Sequence, residues 1–298
     1  MSAREAAIVG GVSEPLAGVR FSLVGPGKVG TSLAAWAVAS GARLMSTAGR
    51  VSLEEMESAG QDLLLVAVSD SALPAVAATL AGRPQAAVAL HTSGALDASV
   101  LSPLRQAGSA VGSLHPLKAF PRPLPDPAQA RGVFFGVDGD PAARAMAGRL
   151  AEAWGAVAGE VPAEARLLYH FAATLAAGGV VTLLAAAEDL AGRLGLPPQV
   201  TAGYLELSRG AMAAALETGA AGDSLPGAIT GPVARGDVGL VLRQLDALRR
   251  TDPGKLPLVL QLARETLRQV SRRAPLDPGQ EELREEIERL LRDPLSPH

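Results

Sequence analysis

The sequence predicts an α/β chain in two parts, a parallel sheet covered by helices and then an all-α domain. Three observations carry this prediction. A short apolar run, Phe21 to Val24, breaks into Gly25-Pro26-Gly27-Lys28-Val29-Gly30 and continues as Thr31 to Ala39 with helical composition. Near-continuous apolar runs then alternate with helical stretches as far as about residue 158. Beyond that point no strand pattern appears, and long Ala- and Leu-rich stretches take over.

The glycines of the first turn have separate physical tasks. Gly25 permits a tight turn, Gly27 lets the backbone approach a pyrophosphate, and Gly30 lets the helix pack close to the strand. The helix start offers unpaired N–H groups and about half a positive charge. A Gly-x-Gly-x-x-Gly pattern alone is weak in a chain with 33 glycines. Strand, turn and helix in the required order make it a dinucleotide-binding turn, with Gly25, Pro26, Gly27, Lys28, Val29 and Gly30 around the phosphates. The first part is thus an N-terminal Rossmann-type parallel sheet domain.

Further strands are predicted at Gly41 to Thr47, Asp62 to Val68, Ala86 to Leu90, Ala110 to Leu114 and Gly132 to Val137. Ser52-Leu53-Glu54-Glu55 reads as a capping box, and helices are predicted over Ser71 to Ala81 and Pro141 to Trp154. Apolar runs of this kind belong to a parallel sheet buried on both faces, with ligands at the carboxyl ends of its strands. Ala163 to Leu194 reads as one helix of about 48 Å, ending at Gly195 and Pro197-Pro198. More helices are expected at Pro198 to Thr218, Val238 to Arg249 and Leu256 to Arg272. Gln280 to Arg292 reads as a solvated amphipathic helix. The expected organisation is an extension over 1–17, a cofactor domain over 18–158, a helical domain over 159–275 and a charged tail over 276–298.

Composition narrows the function classes. A net charge of −3 with no basic block argues against nucleic acid or an anionic membrane as partner. The chain has no cysteine, which removes disulfides and thiolate chemistry and suits a reducing cytoplasm. Arg4, Glu5, Glu14 and Pro15 interrupt the first residues, so they do not read as a signal peptide. Phe171 to Ala187 is uncharged over 17 residues, short of the roughly 20 needed to span a membrane, and reads as a helix buried against other helices. So much apolar helical surface points to a homodimer.

The end of the second strand should select the cofactor. In place of the acidic residue that reads NAD, the chain has Ser46-Thr47-Ala48-Gly49-Arg50. A guanidinium and hydroxyls suit a 2′-phosphate, so Ser46 and Arg50 predict NADP(H). Two of only four histidines, His91 and His115, end the fourth and fifth strands, where a nicotinamide belongs, and His170 follows beside Tyr169. No pair has metal-ligand spacing, and no metal is expected. Tyr169 and His170 are neighbours on a helix and should not face one point, so His170 is taken as the one reaching the cleft.

The runs Gly25 to Gly30, Val66-Ala67-Val68-Ser69-Asp70, His91-Thr92-Ser93-Gly94, His115-Pro116-Leu117-Lys118-Ala119-Phe120, Tyr169-His170 and Ile229 to Asp237 resemble one bacterial family. Its members are Rossmann-like NADP-binding oxidoreductases with a helical C-terminal domain of unknown function, within the 6-phosphogluconate dehydrogenase-like group. The resemblance covers about residues 18 to 272. It implies that the Val66 to Asp70 loop, with Val68, Ser69 and Asp70, lines the nicotinamide-ribose side of the site, and that the helical domain mediates dimerisation. His91 and Thr92 are also expected at the cofactor. The His-Pro step is similar to that of prephenate dehydrogenases, whose histidine acts on the substrate's oxygen. Two departures stand out: Arg166 replaces a usual lysine and Gly178 a usual asparagine.

The expected chemistry is hydride transfer between NADP(H) and a small oxo- or imino-acid-like substrate. His115 serves as general acid/base, Ser93 hydrogen-bonds the same heteroatom, and Lys118 or Arg235 holds an acidic group. Thr230 and His170 complete the substrate side, and Asp237 caps the helix that starts at Val238. The alternative is a non-catalytic NADP-binding sensor on the same scaffold.

Overall fold

The computed structural model describes residues 14–49, 53, 56, 58–83 and 85–293. It divides into two compact units, Met1–Ala177 and Gly178–His298.

The first unit is built on a seven-stranded sheet in the order β2-β1-β3-β4-β5-β6-β7. The strands are β1 Arg20–Val24, β2 Arg43–Ala48, β3 Leu63–Val66, β4 Val88–His91, β5 Ala110–Pro116, β6 Phe134–Gly139 and β7 Val157–Glu160. Its helices are α1 Lys28–Ala39, α2 Leu73–Ala81, α3 Ser102–Gln106, α4 Pro141–Ala153 and α5 Arg166–Thr174. β1 to β5 are mutually parallel, and Val24 pairs with Val66, Val66 with His91 and His91 with Ser113. The carboxyl ends of the central strands therefore share one edge. Side chains alternate between faces: Leu63 and Leu65 enter one core with Trp36 and Phe135, while Leu64 and Val66 enter the other with Leu73 and Leu101.

The all-parallel expectation fails at the far edge. β6 runs antiparallel to β5, with His115 opposite Gly136, and β7, which the sequence did not announce, runs parallel to β6. The connection between β5 and β6 contains only the 3-10 turn Pro127–Ala130. It folds back on α1 instead: the Trp36 indole donates to the Leu124 carbonyl at 2.7 Å, and the Leu124 N–H donates to Ser32 Oγ at 2.8 Å. With no crossover helix to carry the chain to the opposite edge, β6 starts where β5 ends, fixed by Leu117 N–H to the Phe134 carbonyl at 2.8 Å.

Leu16, within the extension expected over 1–17, packs into the core of the first unit. Leu16 is fully buried, and its N–H donates to the Ser40 carbonyl at 2.9 Å. The Ser52 capping box and Arg50 lie outside the described residues.

The second unit is helical: α6 Val180–Arg193, α7 Gln199–Ala220, α8 Val238–Thr251, α9 Leu256–Ser271 and α10 Pro278–Arg292. Its core gathers Val241, Leu245, Leu256, Leu260, Leu267, Leu283, Ile287 and Leu290. The tail helix is thus not merely a solvated face: α10 puts Leu283, Ile287 and Leu290 at 0 % exposure. Asp277 and Gln280 open it with a reciprocal capping box. The helix predicted over Ala163 to Leu194 is interrupted by a π-helical turn, Leu175–Gly179. Nor is it buried within the chain. Leu167, Leu168, Phe171 and Val181 are each more than half exposed.

Candidate active site

The glycine turn sits between β1 and α1 as its residues require. Gly25 has φ +87°, and a Cβ there would lie 2.5 Å from the Ala67 carbonyl oxygen. A Cβ on Gly30 would collide with the Gly25 carbonyl, so this glycine sets the close approach of helix and strand. A Cβ on Gly27 would meet no protein atom within 4 Å, and no side chain caps the start of α1. Backbone N–H groups thus face open space at the helix start, which fits a pyrophosphate. Lys28 is exposed on the first turn and Pro26 on the loop, where its carbonyl accepts from Thr31 Oγ1 at 3.2 Å. Beside the turn lies a cavity of about 210 Å³ lined by Gly25, Gly49, Leu53, Val68, Ser69 and Val76. Its apolar walls fit the flat face of an adenine. Val29 packs against the core, and Asp70 lies exposed just beyond Ser69.

Ser46, expected at the 2′-phosphate, takes part in a hydrogen-bond chain between strands. Its hydroxyl lies 2.7 Å from the hydroxyl of Ser22, which in turn donates to Gln61 Oε1 at 2.6 Å, so it ties β2 to β1.

The loop after β4 is also tied inward. His91 is fully buried; its Nδ1 accepts from the Ser93 N–H and its Nε2 meets the Asp97 carbonyl, each at 3.2 Å. Burial, and next the Arg166 guanidinium, push its pKa down to about 4, so the ring is neutral. Ser93 is 4 % exposed and its Oγ accepts from the N–H groups of Ala95 at 3.2 Å and Leu96 at 3.0 Å. Both residues shape the loop. The bonds described for His91, expected at the cofactor, and for Ser93, expected at the substrate, are to backbone groups of this loop. Thr92 between them is partly exposed, and its N–H donates to the Val66 carbonyl at 3.1 Å.

His115 stands at the end of β5 in a cluster of rings. Its Nδ1 is 3.0 Å from the Tyr169 hydroxyl. The His115 and Tyr169 rings meet edge to face with centroids 5.5 Å apart, and His115 and His170 do so at 5.4 Å. Tyr169 and His170 thus flank the same imidazole, one at each edge. The expectation that adjacent helix residues cannot share a target fails because a ring has two edges to meet. Gly94 closes the floor: a Cβ there would lie 2.5 Å from His170 Nδ1 and 2.6 Å from His115 Nε2. His170 Nδ1 is buried without a hydrogen-bond partner among the described residues. Burial first, then His170 and Arg166, push the His115 pKa down to about 4.

Next to the cluster lies Arg166, which the sequence marks only as a departure from a usual lysine. Arg166 is fully buried, donating from Nε to Asp138 at 2.8 Å, from Nη1 to the carbonyls of Leu96 at 3.1 Å and Ser93 at 3.3 Å, and from Nη2 to Ser113. It therefore joins β5, β6 and the loop after β4 to the start of α5. The signal for this network was an Asp inside the apolar run of β6 and an Arg opening an apolar helix. Gly94 and Gly136, which make room for the rings, were legible only as glycines.

Lys118 lines a cavity of about 580 Å³ with Leu117, Tyr169, Ala172, Ala173 and Ala176. Among the described residues it has no ion-pair partner. Thr230 and Arg235 belong to the second unit, where both are exposed in the loop before α8. Asp237 caps α8, accepting from the Leu240 N–H at 3.1 Å. Gly178 lies in the π-turn, and a Cβ there would meet open space. Among the described residues no group of three metal-ligating side chains occurs.

Comparison with known proteins agrees with this architecture. Residues 133–266 match the family described as a domain of unknown function, DUF2520. A search of curated proteins gives no match. Protein TM1727 from Thermotoga maritima is 20 % identical with a TM-score of 0.64, covering 85 % of this chain and 100 % of its own. The Bacteroides fragilis protein BF3122, provisionally described as an NADP oxidoreductase, is 20 % identical with a TM-score of 0.66, over 85 % and 98 %. Plasmodium falciparum pyrroline carboxylate reductase, solved with NADP bound, is 14 % identical with a TM-score of 0.54, over 90 % and 98 %. At such identities these structures establish the fold. The chain thus joins a Rossmann-like sheet to a stretch that matches a domain of unknown function, DUF2520.

Proposed function

We propose that the protein is an NADP(H)-dependent oxidoreductase acting on a small oxo- or imino-acid-like substrate, with His115 exchanging a proton with the substrate's heteroatom. The observation that carries this reading is the placement of His115. It stands at the carboxyl end of a central parallel strand, beyond a glycine turn whose middle glycine faces open space, with one ring nitrogen held by Tyr169. Ligands of open α/β sheets bind at that edge. The relatives described as an NADP oxidoreductase and an NADP-bound pyrroline carboxylate reductase support the same class.

The backbone of Gly25 to Gly30 holds the pyrophosphate, and Val68 and Ser69 border the cavity that receives the adenine. Arg50 selects the 2′-phosphate. Bound NADPH supplies a hydride to a C=O or C=N carbon. His115 supplies the proton that the heteroatom then needs, a role worth about 10²–10⁴ in rate. Lys118 draws a substrate carboxylate to the cavity that it lines with Tyr169. His170 contributes to substrate binding, and a cytoplasmic homodimer formed through the helical unit is the working form.

The test is binding of NADPH and NADH to the purified protein, followed by thermal shift, and then turnover with a panel of oxo and imino acids. NADPH binding at least tenfold tighter than NADH, lost in Arg50→Ala, is the expected result. Turnover lost in His115→Ala completes it. Binding without any turnover would replace this reading by a non-catalytic NADP sensor.

A further inference from the structure

We propose that Tyr169 is a positioning residue that feeds a proton to His115, so that the imidazole works by exchanging one neutral tautomer for the other. This rests on the oxidoreductase reading for its role in turnover, but the hydrogen bond on which it depends is independent of that reading.

The direction of the bond follows from acidity. A phenol O–H is a far stronger acid than the N–H of a neutral imidazole, so across 3.0 Å Tyr169 donates and His115 Nδ1 accepts. The ring proton is then at Nε2. That nitrogen lies over Gly94, beside His170 Nδ1, and the two nitrogens are no more than about 5 Å apart because both crowd the point where a Gly94 Cβ would sit. The absence of a side chain at Gly94 lets both rings pack against its backbone, which fixes the edge of His115 that carries Nε2.

The tyrosine is held for this task. A Cβ on Gly136 would lie 2.6 Å from the Tyr169 hydroxyl, so only glycine leaves the hydroxyl its place against β6. The same tyrosine is a wall of the cavity that contains Lys118, where water can return a proton to it.

An imidazolium route is disfavoured at the same place. Arg166, His170 and His91 oppose a positive charge on His115, with only Asp70 favouring it, and burial adds to the opposition. At neutral pH the ring is therefore uncharged. A neutral imidazole can still serve as an acid if a proton enters Nδ1 as another leaves Nε2.

In the reductive direction the substrate carbon gains the hydride and its π bond to the heteroatom breaks. The heteroatom takes the proton from His115 Nε2, Nδ1 takes the hydroxyl proton of Tyr169, and the phenolate oxygen takes a proton from cavity water. Hydroxide leaves to solvent. After product release a solvent water gives a proton to Nε2 and Nδ1 gives its proton back to solvent, which restores the Nε2–H tautomer, and the oxidative direction reverses each transfer.

The experiment uses full-length protein with ¹⁵N-labelled histidine, assigned with His115→Gln, in long-range proton–nitrogen spectra between pH 5 and 8. The expected result is a neutral His115 protonated at Nε2 across that range, and a mixture of tautomers in Tyr169→Phe. A wild-type ring protonated at Nδ1, an imidazolium at pH 6 to 7, or an unchanged tautomer in Tyr169→Phe would overturn the proposal. With a substrate from the oxo- and imino-acid panel, Tyr169→Phe should lower kcat about 10²-fold with KM within twofold. Its kcat should also rise with acidity where the wild type is flat. If Tyr169→Phe keeps the wild-type kcat and flat profile, the relay is wrong while the oxidoreductase reading stands. If the wild type turns over nothing, the oxidoreductase reading fails, and the tautomer spectra alone decide whether Tyr169 positions the ring.

Discussion

Gly94 touches two imidazoles through the space where its side chain would be, so the smallest possible substitution there acts on the site directly. Gly94→Ala should displace His115 and His170, lower turnover by at least about 10²-fold and broaden the His115 resonances. Wild-type activity in this variant would show that the rings need not stay in place. Arg166 illustrates the opposite kind of dependence. With its side chain at 0 % exposure and that of Asp138 at 10 %, Arg166→Met leaves a buried carboxylate alone and should cost about 3–5 kcal/mol in urea unfolding. Arg166→Met combined with Asp138→Leu should cost much less, because both charges are gone. The two neutral histidines tie stability to pH. His91 and His115 titrate near 4 in the folded protein against about 6.5 unfolded. Below pH 6.5 the unfolded chain therefore binds protons that the folded chain refuses. Stability should fall as pH drops from 6.5 towards 4, by about 1.4 kcal/mol per pH unit for each histidine, and level off below 4. Urea unfolding at pH 7, 6 and 5 measures this, and His91→Asn should flatten the slope.

At the scale of elements, the β1 turn and α1 separate a binding glycine from a packing one. Gly27 has an ordinary negative φ and open space beyond it, so Gly27→Ala should leave stability within about 0.5 kcal/mol. It should weaken NADPH binding at least about tenfold, a change of 1.4 kcal/mol. Gly30→Ala should do the reverse, destabilising the fold by about 1–3 kcal/mol because its Cβ would press on Gly25, Ala67 and Leu23. Unfolding and fluorescence titration of both variants check the pair, and equal effects would refute the separation. The turn was readable because its requirements are local. The reversal of β6 was not, since it depends on Trp36 and Ser32 holding the Leu124 backbone. The same holds for the site: the positions of His115 and His170 could be suspected from strand and helix ends. The use of His91, Ser93 and Ser46 as internal ties depends on which neighbours the fold brings up, and one chain read in order does not reveal those neighbours.

At the scale of the whole molecule, apolar surface is left uncovered. Leu205, Leu207, Met212 and Leu216 of α7 are all more than half exposed, and α7 buries no residue within the chain. The helix Ala163–Arg193 is, by length and composition, long and apolar enough to cross a membrane, yet 0 % of its most apolar window is buried. Large exposed apolar patches mark interaction sites, and a second copy of the chain is the proposed cover. Leu207→Glu with Leu216→Glu should convert a dimer into a monomer in light scattering without detergent. A wild-type monomer, or recovery only with detergent or vesicles, would remove the homodimer.

The sequence by itself determined the two-part α/β architecture, the dinucleotide turn and the strand-end position of His115, because each rests on residues within a few positions of one another. Only the tertiary structure decided which polar side chains are turned into the fold to hold it together. Burial and pairing across β4, β5, β6 and α5 turn Arg166, His91 and Ser93 inward and bring Tyr169 to His115 from 54 positions away.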